Sequence, residues 1–224
     1  MTAERPRAVV SWSSGKDAAF ALWLVRQRKE SEVVGLLTTT TADFERVSMH
    51  GVREALLRRQ AEVTGLPLYE VRIPYPCPNE VYEARMSEAI LRLREDRVSQ
   101  MIFGDLFLQD IRSYRESRLA GTGIEPVFPL WGLDTAPLAH RMIREGLEAR
   151  IVCVDPRKIS PRFAGRRFDG TFLSELPSTA DPCGENGEFH TFVCNGPMFR
   201  EPIPVRDGET VERDGFVFHD LLPE

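Results

Sequence analysis

The amino-acid sequence predicts an α/β fold: a Rossmann-like parallel sheet with helices on both faces, followed by a smaller C-terminal α+β portion. Short apolar runs alternate with segments of helical periodicity through residues 7–105. The apolar runs are short and continuous, which is typical of parallel strands buried on both faces. Beyond Trp131 the chain becomes richer in Gly, Pro and polar residues and the regular alternation ends. We therefore predict two parts, residues 1–132 and residues 133–224.

The first part consists of a strand–helix unit repeated three times and a closing strand. The predicted strands are residues 7–12, 32–41, 67–74 and 100–105, and the predicted helices are residues 17–30, 50–65 and 79–96. Apolar residues at helical spacing predict one buried face on each helix: Phe20, Leu24 and Val25; Val52, Leu56 and Val63; Tyr82, Met86, Ala89, Ile90 and Leu93.

Repeated strand–helix units form a parallel sheet through right-handed crossovers. Ligands bind such sheets beyond the carboxyl ends of the strands. We therefore expect function in the loops that follow the four strands, at residues 11–17, 38–51, 73–80 and 104–110.

The second part is predicted to begin with a helix over residues 135–147. Strands are predicted over residues 149–155 and 188–199. The last predicted element is a hairpin over residues 209–221, whose turn lies at Asp214-Gly215, a pair of residues that is typical of tight hairpin turns.

The composition is that of an ordinary soluble protein, with 42% hydrophobic and 28% charged residues. The formal net charge of -5 argues against a dedicated nucleic-acid binder. There is no apolar signal region and no run of about 18 apolar residues, so we expect a cytoplasmic protein without a membrane partner. None of the four cysteines forms a C-x-x-C pair, and we expect reduced, structural thiols: Cys77, Cys153, Cys183 and Cys194.

An anion site is predicted where the first strand passes into the first helix. Backbone N–H groups at a helix N-terminus, together with the helix dipole, favour a bound anion. Ser13 and Ser14 add hydroxyl donors beside Gly15, and Lys16 adds a cation. The spacing excludes the Walker loop, which needs G-x-x-x-x-G-K-[ST], and also excludes G-x-G-x-x-G.

A second polar cluster lies in residues 181–199, DPCGENGEFHTFVCNGPMF. Glu185, Glu188 and His190 place acid and base groups just before and within an apolar strand. By composition alone, a turn with solvated carboxylates explains the cluster equally well.

The two clusters together resemble a known family. SSGKDA, residues 13–18, resembles the S-G-G-x-D-S loop of the N-type ATP pyrophosphatases in the adenine nucleotide alpha hydrolase-like superfamily, which split ATP between its α and β phosphates. GENGEFHT, residues 184–191, resembles the G-E-x-G-E-[YF]-x-T motif of the diphthine–ammonia ligase family. GDLFLQDIRSYRES, residues 104–117, and MHG, residues 49–51, resemble further stretches of that family.

The resemblance spans residues 9–199 and is to the short single-chain members. The strong bias to arginine, with lysine only at Lys16, Lys29 and Lys158, is typical of a bacterial member. It implies an ATP-binding pyrophosphatase domain in residues 1–132 and an acceptor-binding portion in residues 133–224.

Two residues depart from the loop pattern. Ser14 stands where the pattern has its first Gly, and this is tolerable if Ser14 keeps a negative φ. Ala18 stands where the pattern has its last Ser, so one hydroxyl donor to phosphate is missing. A neutral hydrogen bond contributes roughly 1 kcal/mol, so the loss should weaken phosphate binding without abolishing it.

By position, the resemblance implies a set of site residues. Those that would bind ATP are Ser13, Ser14, Gly15, Lys16, Asp17, Leu37, Thr38, His50 and Asp105, with backbone groups at Leu37 and Thr38 contacting the adenine. Those that would bind the acceptor are Glu185, Glu188, His190 and Thr191. The catalytic residues would be Lys16, Asp17, Glu188 and His190, and Asp17 would also bind Mg²⁺.

The implied activity is that of an ATP-dependent, AMP-forming carboxylate–ammonia ligase. It would adenylate a carboxylate on a protein or a metabolite, release pyrophosphate and transfer ammonia, and the acceptor can differ from diphthine. Two alternatives stay open: an ATP-binding pyrophosphatase that modifies tRNA, against which the net acidity counts, and a non-catalytic module that senses ATP or AMP, which Ala18 slightly favours. We also predict a homodimer, from apolar residues expected to be exposed in residues 126–132 and in the terminal hairpin.

Overall fold

The structure is a computed structural model that describes residues 4–41, 46–47 and 51–224. The strands in the first part are β1 (Arg7–Ser11), β2 (Glu32–Thr41), β3 (Arg46–Val47), β4 (Leu68–Ile73), β5 (Gln100–Ile102) and β6 (Glu125–Val127). The helices there are α1 (Lys16–Arg28), α2 (Glu54–Thr64), α3 (Asn79–Glu95) and α4 (Gln109–Leu119). The second part contains α5 (Thr135–Arg144), β7 (Glu148–Val154), a 3-10 turn (Pro161–Phe163), α6 (Gly170–Glu175), β8 (Phe189–Asn195), β9 (Val205–Arg213) and β10 (Phe216–Pro223).

The main strands of the first sheet run parallel, and the direction in which the chain adds strands reverses at the central strand β1. Strands β4, β2, β1, β5 and β6 lie in that order, each parallel to its neighbours, and the short β3 pairs antiparallel with the end of β2. The chain builds outward from β1 through β2 to β4, and then continues on the other side of β1 with β5 and β6. The carboxyl ends of β1 and β5 therefore flank a topological switch point, where open α/β sheets bind ligands.

Helices cover both faces of this sheet. Alternate residues of β1 point to opposite faces, so Ala8 and Val10 join the core that contains α1 and α2, whereas Val9 joins the core that contains Leu93 of α3 and Leu119 of α4. The prediction of a parallel α/β sheet with helices on both faces is therefore confirmed.

Helix α1 is buried almost all round, because the second part covers the side that faces away from the sheet. Phe20 and Leu22 are fully buried in one core with Phe172 and Phe192. Burying a large apolar side chain contributes roughly 1.5–3 kcal/mol, so this shared core ties the two parts together. The division between residues 132 and 133 stays a prediction.

The second sheet is antiparallel, with strand order β8, β7, β10, β9. The hairpin turn lies at Asp214-Gly215, where φ is 52° and 77°. Positive φ at both central residues is the geometry of the two-residue hairpin turn that the sequence predicts. The prediction of a smaller α+β portion is thus confirmed.

Some predicted elements differ in extent, and five elements were not predicted: β3, α4, β6, the 3-10 turn and α6. Helix α2 begins at Glu54, four residues later than predicted, and β8 ends at Asn195 because Gly196 and Pro197 follow it. Helix α4 was not predicted because it lacks an apolar stripe, and among its residues Leu119 alone is buried. Strand β6 was missed because it is only three residues long and contains a proline.

The apolar residues of segment 126–132 are not exposed, which corrects the basis of the dimer prediction. Leu130 is fully buried, and Phe128 and Trp131 are half-buried beneath the Arg112 guanidinium, which lies 4.9 Å and 4.7 Å from their ring centroids. In the terminal hairpin, the exposed large apolar side chain is Val211. The homodimer stays a prediction without this support.

Across the described residues, no helix is long and apolar enough to cross a membrane. The four cysteines are free thiols, and Cys153 and Cys183 are buried.

Candidate functional site

Two adjoining cavities lie at the carboxyl ends of β1, β2 and β5. The larger has a volume of about 420 Å³ and the smaller a volume of about 210 Å³. Both are lined by Ser11, Ser13, Phe103 and Arg115, so they meet at a common boundary. This boundary lies between the ends of β1 and β5, at the switch point of the sheet.

The larger cavity has mainly apolar walls. Leu37 and Thr38 at the end of β2 form one side, and Tyr82, Met86 and Ile90 of α3 form another. The buried face predicted for α3 is therefore only partly correct. Leu93 is fully buried, whereas these three residues pack against the same core but stay half-buried because they also line the cavity.

Thr38 brings a polar group without a partner to this cavity. Its side chain is 3% exposed, and its Oγ1 makes no hydrogen bond with any described residue. A buried hydroxyl without a partner is unfavourable by roughly 1–3 kcal/mol, as judged from protein substitutions. A ligand that fills the cavity can supply the missing partner.

The loop over residues 13–17 adopts a conformation that the sequence did not predict. Ser14 has a φ of +68° and is fully buried, so the condition of a negative φ, on which the replacement of Gly was tolerable, is not met. A non-glycine residue in this region is unfavourable by about 1–3 kcal/mol and persists only when its surroundings hold it. Two hydrogen bonds do so: Val193 N and Gln60 Nε2 each donate to the Ser14 carbonyl, both at 3.1 Å.

Gln60 of α2 holds the loop that contains Ser14, and the sequence did not predict this role. It is fully buried, accepts a hydrogen bond from Trp12 Nε1 at 2.9 Å, and also donates to the Val193 carbonyl at 2.8 Å. A signal was present, because Gln60 falls between Leu56 and Val63 on the apolar face of the helix. A polar residue on a buried face needs polar partners.

The start of α1 is joined directly to the second part of the chain. Gly15 is the N-cap and offers no side-chain cap. The N–H of Lys16 donates to Thr191 Oγ1 of β8 at 3.0 Å. A residue predicted on the acceptor side thus caps helix α1, and the two polar clusters predicted from the sequence lie together.

The Lys16 side chain is buried and crosses to the second part. Its Nζ donates to Asp17 Oδ2 at 2.8 Å and to the Cys183 carbonyl, and it lies 5.3 Å from the centroid of the Phe189 ring. Burial opposes its charge, but the negative charge of Asp17 and further contributions from Cys183 and Glu185 outweigh burial and leave the pKa of Lys16 raised. Lys16 therefore stays charged at neutral pH.

Asp17 is the residue best placed to bind a cation. Burial raises its pKa against the opposing attraction of Lys16, and its Oδ1 is buried without a hydrogen-bond partner among the described residues. Within residues 4–41, 46–47 and 51–224, no group of three His, Cys, Asp or Glu side chains is placed to hold a metal. The residues fit Mg²⁺ only as a site of one carboxylate that substrate oxygens and water complete, which is a common mode for this ion.

The turn over residues 181–188 is held by its own side chains. Asp181 Oδ2 accepts hydrogen bonds from Cys183 N at 3.2 Å and Glu185 N at 2.8 Å. Glu188 Oε1 accepts from Asp181 N at 2.9 Å and Asn186 Nδ2 at 3.2 Å. Glu188 is 3% exposed and lines neither cavity, so the structure gives it a bracing position in the turn.

Glu185 and His190 line the smaller cavity. Glu185 Oε1 accepts a hydrogen bond from Leu106 N at 2.7 Å. Burial raises the pKa of Glu185 to about 7 against the effect of this hydrogen bond, and nearby Asp17 and Asp105 raise it further. Burial, with smaller effects of Lys16 and Lys158, lowers the pKa of His190 to about 4, so His190 is neutral at pH 7.

Asp105 follows β5 and faces the smaller cavity, where it forms an ion pair with Arg115 of α4. Arg115 Nε lies 2.6 Å from Asp105 Oδ2, off the line of a good hydrogen bond, and Nη2 donates to Oδ1 at 3.1 Å. Gly104 lets the chain after β5 approach the start of α1 closely, since a Cβ there would lie 2.7 Å from the backbone carbon of Asp17. Sequence reasoning assigned no role to Arg115.

The structure brings together most of the predicted site. The smaller cavity is lined by Ser13, Gly15, Lys16, Asp17, Asp105, Glu185, His190 and Thr191, and the larger by Ser13, Leu37 and Thr38. Ser14 and Glu188 lie behind these walls, and His50 lies outside the described residues.

Two family models match this chain. The family model for the diphthamide synthase N-terminal domain matches residues 6–125, and the model for the diphthamide synthase C-terminal domain matches residues 134–219.

Two curated relatives are both diphthine–ammonia ligases. The diphthine–ammonia ligase of Danio rerio is 28% identical over 167 residues, which cover 67% of this chain and 65% of that protein. The diphthine–ammonia ligase of Schizosaccharomyces pombe is 24% identical over 219 residues, which cover 89% of this chain and 36% of that protein. The chain thus spans less than two thirds of the length of these relatives.

Among solved structures, the U34-tRNA thiolase from Methanococcus maripaludis with its 4Fe–4S cluster matches with a TM-score of 0.38 and 14% identity, over 63% of this chain and 58% of that one. This similarity is too weak to support a functional inference.

Proposed function

Because the chain belongs to the diphthamide synthase family, we propose that it is an ATP-dependent ligase that adenylates a carboxylate, releases pyrophosphate and forms an amide with ammonia. One observation carries the proposal: a mainly apolar cavity of about 420 Å³ joins a charged cavity of about 210 Å³ at the switch point of the sheet. The first suits a nucleoside, and the second suits phosphates and the reacting groups.

We assign the adenosine of ATP to the larger cavity. Backbone groups at Leu37 and Thr38 lie at the end of β2, where they can contact the adenine. The Thr38 hydroxyl, which has no partner among the described residues, gains one when the cavity is filled. The half-buried face of α3, with Tyr82 and Met86, supplies apolar contact.

The β and γ phosphates are placed at the start of α1. The N-terminus of this helix favours an anion, and Ser13 adds a hydroxyl. Lys16 adds a buried positive charge. Asp17 would hold Mg²⁺ through its Oδ1, and the bound ion would offset negative charge on the phosphates.

The reaction has two steps. An oxygen of the acceptor carboxylate bonds to the α-phosphorus, the bond from that phosphorus to the bridging oxygen breaks, and pyrophosphate leaves. Ammonia then bonds to the acyl carbon, AMP leaves, and the nitrogen gives up one proton. The protein contributes mainly by positioning the groups and stabilising charge.

Glu185 is the better placed proton acceptor of the groups that line the smaller cavity. Its pKa of about 7 is near the operating pH, as general acid–base catalysis requires. His190 has a pKa of about 4 and is a weak base, so we assign it contact with the acceptor. Glu188 is assigned the support of the turn that presents Glu185, which replaces the catalytic role expected from the sequence.

The test is incubation of the protein with ATP labelled at the α-phosphate, ammonium and a panel of carboxylates on peptides and metabolites. Formation of labelled AMP that depends on one of these carboxylates is the expected result. Formation of ADP would overturn the proposal, and so would tight binding of ATP without turnover on any acceptor. The second outcome would favour the sensing module.

A further inference from the structure

Arg115 is the charged residue at the boundary of the two cavities. Of the residues that the structure describes, four line both cavities, and Arg115 is the ionisable one among them, beside Ser11, Ser13 and Phe103. Its side chain is 31% exposed, so part of the guanidinium is accessible to a ligand.

The geometry of ATP decides which of its groups lies at this boundary. The α-phosphate links the nucleoside to the two outer phosphates. When the nucleoside fills the larger cavity and the outer phosphates fill the smaller one, the α-phosphate must lie where the cavities meet. We propose, on the basis of the proposed function, that Arg115 contacts the α-phosphate and stabilises the charge that develops there during attack by the carboxylate.

The neighbours of Arg115 fix its orientation. Asp105 engages the Nε and Nη2 edge of the guanidinium, and the Phe103 ring centroid lies 4.4 Å from its central carbon. A guanidinium carries five N–H donors, so the donors of Nη1 remain for a phosphate oxygen. Asp105 is then a positioning residue that acts through Arg115, rather than a residue that contacts ATP.

Among the described residues, the other cations that line the two cavities already have partners. The Lys16 ammonium is bound by Asp17 and the Cys183 carbonyl and lies in the smaller cavity. Arg118 lines the larger cavity and is paired with Glu83. Neither Lys16 nor Arg118 lines both cavities, so neither lies at the boundary that Arg115 occupies.

The experiment compares the binding of adenosine, AMP and pyrophosphate by calorimetry, which needs no acceptor. Arg115→Met is the test variant. Arg112→Met is the matched control, because Arg112 lies on the same helix and lines neither cavity. We expect the wild type to bind AMP more tightly than adenosine, and Arg115→Met to lose about 10- to 100-fold in AMP affinity while adenosine and pyrophosphate affinities stay within about threefold.

Retention of the AMP preference in Arg115→Met would overturn the inference. An equal loss of pyrophosphate affinity would overturn it too, because Arg115 would then contact the outer phosphates. Failure of the proposed function would look different: the wild type itself would bind no ATP or form no AMP.

A second variant distinguishes the loss of a ligand contact from misfolding. Arg115→Met leaves Asp105 without its partner, so the double variant Arg115→Met with Asp105→Asn removes both charges and should keep the fold, checked by circular dichroism. It should show the same selective loss of AMP affinity, and normal AMP affinity in this folded variant would overturn the inference.

Discussion

The two cavities lie side by side and differ in what lines them. Leu37, Met86 and Ile90 give the larger cavity apolar walls, whereas Lys16 and Asp17 are among the ionisable groups that line the smaller one. Apolar contact selects a ligand by shape, and charges in a partly buried site act strongly because water screens them little. Substitutions in the smaller cavity should therefore change chemistry and pH dependence, and those in the larger cavity should change nucleoside binding.

The largest effect is expected from Asp17→Asn. This change removes the charge that balances Lys16 and the oxygen assigned to Mg²⁺. AMP formation from ATP should fall by about 100-fold or more, while adenosine affinity, which depends on the larger cavity, should change little. Asp110→Asn is the control, since Asp110 is exposed on α4 and lines neither cavity. Full activity of Asp17→Asn would refute the assignment of the loop.

Gly104→Ala should disturb the smaller cavity through the backbone. The added Cβ would lie 2.7 Å from the backbone carbon of Asp17, so β5 and the start of α1 must move apart. We expect a loss of about 1–3 kcal/mol in the free energy of unfolding, measured by urea denaturation. Gly170→Ala is the control, because nothing lies within 4 Å of its Cβ position. Equal stability of the two variants would show that β5 and α1 are not in the close contact described.

Two residues of the smaller cavity should contribute to the pH dependence of stability, and they act in opposite directions. Glu185 has its pKa raised from 4.5 to about 7, so the folded state holds a proton that the unfolded state releases, and stability falls as pH rises from 4.5 to 7. His190 has its pKa lowered from 6.5 to about 4, so the unfolded state binds the extra proton and stability rises over pH 4 to 6.5.

Denaturation of Glu185→Gln and His190→Gln at several pH values tests this pair of effects. Relative to the wild type, Glu185→Gln should become more stable as pH rises from 4.5 to 7.5. His190→Gln should lose stability relative to the wild type as pH rises from 4 to 6.5. His140→Gln, on the exposed side of α5, is the control. If the free energy of unfolding of both variants changed with pH as that of the wild type does, neither group would have a shifted pKa.

The smallest effect is expected in the larger cavity, from Thr38→Val. The hydroxyl of Thr38 has no partner among the described residues, so its removal should leave stability unchanged or slightly higher. Adenosine affinity should fall by about fivefold, as for the loss of one neutral hydrogen bond. Thr40→Val is a matched control: its Oγ1 is likewise buried and unpartnered within the described chain, but it lines neither cavity. Equal adenosine affinity of both variants would contradict a ligand contact by Thr38.

Much of the fold followed from local pattern. The parallel strands β1, β2, β4 and β5, helices α1 to α3 and the hairpin at Asp214-Gly215 were all predicted, because apolar periodicity and turn residues are properties of short stretches. Helix α4 was not predicted, since most of its surface is in contact with water and its sequence has no apolar stripe.

The site was predicted less completely than the fold. The motifs brought Ser13, Gly15, Asp17 and Glu185 to one cavity, but they also singled out Glu188, which lies behind its wall. A motif records which residue types occur together and does not say which of two neighbouring carboxylates faces a ligand. Glu188 faces inward because its carboxylate accepts hydrogen bonds from Asp181 N and Asn186 Nδ2, and these depend on the path of the turn.

The sequence by itself determined the strand–helix alternation and the family to which the chain belongs, and it predicted an anion site at the start of α1, because each is encoded in contiguous residues. Only the tertiary structure showed the positive φ of Ser14, the buried Gln60 that holds it and the position of Arg115 between two cavities. These features arise where distant segments meet: Gln60 contacts the loop and β8 across 46 and 133 positions of sequence. No local pattern specifies such contacts, because they depend on which faces the packed helices and sheets bring together.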